Sequence, residues 1–215
     1  MVAIPSADRP PDELGLRERK KRQTRAALIG STLRLVAERG LDAVTVEEIS
    51  ADADVSVRTF FNYFRNKEDA LTGGGVIAGE RLTRVLREAP AEISVPLAIR
   101  RGMLVEAEAI ERDPAELMLV LTITERTPAL RPHLVVAEDP ILQSLTAAVG
   151  ERLGLDPAEH GYPGLVSAVS IAAFRQTVFH WHANGCAQPL TELLDEALSE
   201  LAAGLREPAL ADSPN

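Results

Sequence analysis

Four aromatic side chains fall within five residues, Phe60, Phe61, Tyr63 and Phe64, in a chain whose aromatics amount to five Phe, two Tyr and one Trp. Arg58, Thr59, Asn62, Arg65 and Lys67 lie among and beside them. A short helix built this way buries rings on one side and offers cations and hydrogen-bond donors on the other. The flanking residues punctuate it as a helix. Ser56 is a good N-cap, and Asn66 can cap another helix through Leu71, with Glu68 and Asp69 favourably placed in its first turn. Upstream, Thr45-Val-Glu-Glu48 has the form of a capping box, so a helix starts there with Val46, Ile49 and Ala53 as its buried stripe. Asp54 occupies the turn between the two. A capped helix, a tight turn and an amphipathic second helix together read as a helix-turn-helix that docks on duplex DNA.

The charge distribution supports this although the total does not. Net charge is −9, which alone argues against a polyanionic partner. Residues 17–25 nevertheless carry six basic side chains against Glu18, and residues 17–72 hold 11 basic against 9 acidic, a net of +2. From residue 73 onward there are 11 basic and 20 acidic residues. A basic head on an acidic body orients the chain on DNA by its head.

The rest of the chain reads as helical. Residues 1–16, rich in Pro and Asp, are expected to form a disordered arm. A first helix should run from Leu16 or Arg17 to Arg39, with Leu28, Ile29, Thr32, Leu35 and Val36 at helical spacing and Gly40 as its C-cap. Gly73-Gly-Gly75 then marks a domain boundary. Further helices are expected over 76–87, 95–111, 114–126, 130–153, 162–183 and 189–205, punctuated by prolines. This gives nine or ten helices: an all-α chain with an N-terminal helix-turn-helix domain over 17–72, a larger helical domain over 73–207 and a disordered tail over 208–215. The stretches such as Leu117–Ile123 fall far short of the roughly 20 apolar residues that cross a bilayer. With one cysteine, Cys186, and no apolar leader, a cytoplasmic protein without disulfides is expected.

Residues 45–71, T-V-E-E-I-S-A-D-A-D-V-S-V-R-T-F-F-N-Y-F-R-N-K-E-D-A-L, resemble the DNA-binding head of the TetR family of transcriptional regulators. The resemblance covers roughly residues 22–71 and includes Gly40, Thr45, Ile49, Ala53, Val55, Ser56, Thr59, Phe60, Tyr63, Phe64, Lys67, Glu68 and Leu71. It implies that Val57, Arg58 and Thr59 face base edges, with Phe61 and Asn62 nearby. Arg58 is suited to guanine O6 and N7. It further implies that Tyr63 and Lys67 contact phosphate, while Thr45 and Val46 open a helix whose N–H groups reach the backbone. Phe60 and Phe64 belong to the core. Two positions depart from the family pattern: Phe61 stands where Tyr is usual, and Asp54 where Gly is usual. Aspartate tolerates a left-handed turn better than most residues.

The resemblance also implies a homodimer through the two C-terminal helices, a palindromic double-stranded operator, and a small-molecule effector held in the larger domain. The glycine run and the fourth helix would transmit its binding. The last helix carries Leu190, Leu193, Leu194, Ala197, Leu198, Leu201, Ala202 and Leu205 as a stripe. Met103, Leu104, Met118, Leu121, Thr122, Phe174, Val178 and Phe179 are candidates for the pocket lining, pointing to a hydrophobic effector. No cofactor, metal site or catalytic set is expected, and the chain does not read as an enzyme. His180 and His182 point to different sides of a helix and cannot chelate together. The acidic residues Glu106, Glu108, Glu111, Asp113 and Glu116 read as solvated charge. A helical protein–protein adaptor, or a small-molecule-binding protein that has lost operator binding, is the alternative.

Overall fold

The computed structural model describes residues 11–205, and all regular elements among them are helical. Two compact units divide at Leu71/Thr72, just before the glycine run. Among the described residues no helix is long and apolar enough to cross a membrane.

The first unit is built on α1 (Pro11–Arg39), α2 (Val46–Asp52) and α3 (Val57–Phe61), with α4 (Lys67–Thr72) at its end. Residues 11–16 lie within α1, so the expected disordered arm is corrected there; residues 1–10 and 206–215, including the expected tail, lie outside the described residues. Proline at the first helical position gives up no hydrogen bond. Leu28, Ile29, Thr32, Leu33, Leu35 and Val36 of α1 are buried. Ile49 and Phe60 are fully buried and Phe64 is buried, with α2 packed on both α1 and α3. The Arg25 guanidinium lies 4.6 Å from the centre of the Phe64 ring, closing that edge of the core with a cation–π contact. Gly40 takes a φ of +84° and its N–H returns to Val36 O at 2.8 Å, ending α1 as a glycine should.

The second unit comprises α5 (Gly75–Glu88), α6 (Val95–Arg112), α7 (Ala115–Arg126), a 3₁₀ turn (Pro128–Leu130), α8 (Arg131–Ala137), α9 (Asp139–Leu153), α10 (Gly161–Ala183) and α11 (Leu190–Ala202). The described residues thus hold eleven α-helices and one 3₁₀ turn. One continuous helix over 130–153 is not formed. Pro140 sits in the first turn of α9, where its missing N–H costs nothing. Continued helix upstream would set its ring against the carbonyl four residues earlier, and the chain breaks at Glu138. α5 packs on α6 and α9, and α11 on α6 and α10, around Leu86, Ile99, Leu145, Val149, Leu190 and Leu194.

Close packing here depends on missing side chains. A Cβ on Gly102 of α6 would lie 2.6 Å from Leu82 Cδ1 of α5, and one on Gly150 of α9 would lie 2.7 Å from the Leu155 carbonyl oxygen. Arg152 finishes the end of α5: its guanidinium donates to the carbonyls of Leu86, Ala89 (2.8 Å), Pro90 and Ile93 (2.8 Å). Terminal helix carbonyls otherwise without partners are satisfied by one side chain.

Candidate functional site

The head positions its exposed residues through local hydrogen bonds. Thr45 accepts from Glu48 N while Glu48 Oε2 accepts from Thr45 N at 2.9 Å, completing the capping box. Arg39 donates to the same carboxylate at 2.7 Å, which fastens the start of α2 to the end of α1. The bond from the Thr45 backbone, then the Arg39 guanidinium, hold the Glu48 carboxyl below its ordinary range. Arg34 bridges to Asp52 at the other end of α2. Asp52 is likewise depressed, first by the Ser31 hydroxyl and then by Arg34. Asp54 adopts a φ of +54°, so aspartate does make the left-handed turn that departs from the family's glycine. Val55 N donates back to Ser50 O at 2.9 Å across that turn. Ser56 Oγ then accepts from Thr59 N at 3.0 Å and starts α3.

Along α3 burial alternates sharply. Phe60 is 0% exposed while its neighbour Phe61 is 55% exposed. The two rings meet edge to face with centroids 5.5 Å apart, so the exposed ring rests on the buried one. Arg58 and Asn62 are exposed, and Arg58 has neither hydrogen bond nor ion pair among the described residues. Val57, Thr59 and Tyr63 are half-buried, and Thr59 Oγ1 is 2.8 Å from Ser56 Oγ, partly occupying its hydroxyl. Thr45 is exposed and Val46 half-buried at the start of α2.

Lys67 has a structural role that its position in the sequence did not reveal. Its ammonium donates to Leu41 O at 2.6 Å and Val44 O at 2.9 Å, closing the turn between α1 and α2. One N–H remains for another partner.

The second unit contains a cavity of about 610 Å³, within the size range of small-molecule sites. Met103, Leu121, Phe174, Val178 and Phe179 line it, joined by Leu82, Ile110, Leu117, Val120, Leu134, Ile141 and Ile171. Three sequence candidates lie elsewhere. Leu104 borders a separate small groove with Thr191 and Asp195. The Met118 sulfur faces Cys186 Sγ at 3.7 Å. Thr122 turns its hydroxyl back to Met118 O at 2.8 Å, the usual use of threonine within a helix. Helical periodicity locates a buried face but does not say which part of it borders a void.

The cavity also carries charge that the sequence reading treated as solvent-facing. Glu106 is buried, and Arg81 grips it side-on with Nε–Oε2 and Nη2–Oε1 both at 2.9 Å. Arg175 bonds Glu138, and both belong to the same lining. Burial raises the Glu138 carboxyl even though Arg175 opposes the shift. Glu116, at the rim, is also raised, first by loss of solvation and then by the charge of Asp113. A Cβ on Gly74 would come within 2.9 Å of Glu116 Oε1, so this carboxylate lies over bare backbone. The paired residues are 25 and 37 positions apart, beyond any short-range sequence pattern.

Residues 28–71 match the domain family described as bacterial regulatory proteins, tetR family, and residues 93–206 match the MftR C-terminal domain. Over 206 residues the chain is 30% identical to the HTH-type transcriptional regulator TcmR of Streptomyces glaucescens, spanning 92% of this chain and 91% of that one. Among solved structures, Thermus thermophilus FadR in complex with lauroyl-CoA has a similar fold, with a TM-score of 0.54 at 22% identity over 89% of this chain and 99% of the other. The SmeT–triclosan complex has a TM-score of 0.55 at 18% identity, covering 89% and 98%.

Proposed function

Since the chain belongs to the TetR family of bacterial transcriptional regulators, we propose that it is a repressor that binds a palindromic operator as a dimer and is released by a small molecule held in the cavity. The observation that carries the DNA assignment is the alternation on α3: Phe60 is locked in the core while Arg58 and Phe61 stand clear. A recognition helix needs both properties, because base contacts require a fixed helix with free tips. Arg58 reads guanine, and Phe61 contributes an apolar contact, such as one to a thymine methyl, in place of a phosphate hydrogen bond. Val57, Thr59 and Asn62 border the bases. Tyr63, the last N–H of Lys67, and Thr45 and Val46 meet the phosphates. Relatives borrow nothing here for operator sequence, since Phe61 alters the contact set.

The cavity supports the effector role. The similar FadR and SmeT folds were solved with lauroyl-CoA and triclosan, ligands with large apolar parts. Dimerisation is assigned to α10 and α11. Leu165 is 64% and Tyr162 46% exposed on α10, whereas Leu190, Leu194 and Leu198 of α11 are turned inward. Helix α10 keeps apolar surface outside a filled core, which suits an isologous contact, with α11 packed against it from within.

Selection of bound fragments from genomic DNA tests the reading; an enriched palindrome is expected, and its absence favours an adaptor without operator binding. On the selected site Arg58→Ala costs about 1–3 kcal/mol at one base position and relaxes preference there. Tyr63→Phe weakens all sequences alike. Equal affinity and unchanged specificity in both variants would remove the residue assignment.

A further inference from the structure

The turn between α1 and α2 has little backbone bonding of its own. Between Gly40 and the cap at Thr45, Val44 N donates to Leu41 O at 3.4 Å, which is a long bond. The Lys67 ammonium meets the same Leu41 carbonyl much more closely, at 2.6 Å. The Val44 carbonyl accepts from that ammonium at 2.9 Å and from no other group among the described residues. Val44 is buried, and a carbonyl in such a place needs a donor.

Lys67 is held where it can supply one. Asn66 Oδ1 accepts from Asp69 N at 2.7 Å and fixes the start of α4, and Lys67 itself is half-buried. Two of the three ammonium N–H groups are spent on the fold, which a lysine serving phosphate alone would not require. The two carbonyls bracket the turn that leads into α2. Thr45 follows Val44 directly, so the ammonium holds the residue immediately before the α2 cap.

We propose that Lys67 is a positioning residue for operator binding: by holding Leu41 O and Val44 O it sets where Thr45 and Val46, assigned above to phosphate, stand. This rests on the operator reading. The alternative is a lysine that acts on DNA through its own charge alone, and the two roles make different demands on the side chain. A phosphate accepts a guanidinium at least as well as an ammonium. Two carbonyls at 2.6 and 2.9 Å fit a compact ammonium and leave no room for the longer, planar guanidinium.

Lys67→Arg separates the two, because it keeps the charge and changes the shape. Binding of the full chain to its selected duplex is measured across a salt series, beside hydrogen exchange resolved along the chain. Lys67→Arg is expected to weaken binding about tenfold, the effect of losing one charge-assisted hydrogen bond. The salt slope stays unchanged, and exchange protection falls over 41–48 while it is kept over 28–36. In a double-mutant cycle on operator affinity, Lys67→Arg and Thr45→Ala together cost less than the product of their separate factors, because both release the same turn. Lys67→Arg and Tyr63→Phe act independently. A general loss of head stability would not give that pattern. An arginine variant that binds like the parent chain overturns the proposal and leaves Lys67 as a phosphate contact only. Protection lost over 28–36 as well, or independence from Thr45 equal to that from Tyr63, overturns it too, since Lys67 would then support the fold without placing the turn. If the parent chain binds no duplex, the operator reading itself is refuted and the proposal falls with it.

Discussion

The two units treat their carboxylates in opposite ways. In the head, Glu48 and Asp52 are depressed by hydrogen bonds and by Arg39 and Arg34, and each closes a contact between α1 and α2. In the second unit, Glu116 and Glu138 are raised because solvent is withheld from them. The head therefore uses these carboxylates to finish its own fold, while Arg58 faces outward without a partner among the described residues. The second unit keeps charge where a ligand could compensate it. The difference matches the two roles proposed for the units, DNA contact for the head and effector binding for the second unit.

The largest expected effect is confined to the head. Phe60→Ala empties the core beneath α3 and lowers the head's stability by about 3–5 kcal/mol. Hydrogen exchange resolved along the chain should show protection falling over 28–64 and not over 145–198; parallel losses in both would erase the distinction between the units. A matched pair of arginine replacements comes next. Arg81→Met abandons the buried Glu106 and costs about 2–3 kcal/mol. Arg39→Met breaks a pair whose side chains are 40% and 41% exposed, where water screens the interaction, and costs much less. Equal melting-temperature shifts for the two would show that the buried pair is no more demanding than the surface one.

Acid titration gives the smallest and most specific contrast. Glu48 and Asp52, depressed in the folded head, contribute stability above the ordinary carboxylate range and lose it as pH falls through their lowered values. Glu116 and Glu138, raised in the folded state, contribute stability when protonated and lose it as pH rises through their raised values. As pH falls from neutrality through the carboxylate range, protonation first relieves the second unit and then withdraws the stability these groups give the head. Glu138→Gln should flatten the second unit's response and leave the head's unchanged, as followed by exchange protection; a response that survives the substitution would assign the effect elsewhere.

How much of this was legible in the sequence depended on distance along the chain. The caps at Thr45 and Ser56 act across three residues, so residue types alone pointed to them, and the aromatic spacing separated Phe60 and Phe64 from Phe61. Asp54 was legible because few residues accept a left-handed turn. The two carbonyls under Lys67 lie 26 and 23 residues upstream, and the phosphate contact was the only role its position suggested. Glu106 looked like solvated charge because its partner, Arg81, belongs to another helix. Met103 and Leu104 are neighbours of equal apolarity, yet only Met103 borders the cavity. The orientation of a helix in its bundle decides that difference. Prolines 132 and 140 were visible as punctuation, but whether they start, bend or break a helix depends on what packs beside it.

Gly150 carries a consequence for how this chain can diverge. In a helix interior, alanine is ordinarily the better residue by about 1 kcal/mol, so drift should tend to remove such a glycine. Here the first atom of any side chain would meet the Leu155 carbonyl, a part of the main chain with no rotamer to yield. At Gly102 the obstacle is the mobile end of Leu82, which a second change could move aside. Relatives are thus expected to exchange Gly102 together with residue 82, while an altered Gly150 requires a different path for residues 154–157. One position records a negotiable packing choice and the other a route the backbone has already taken.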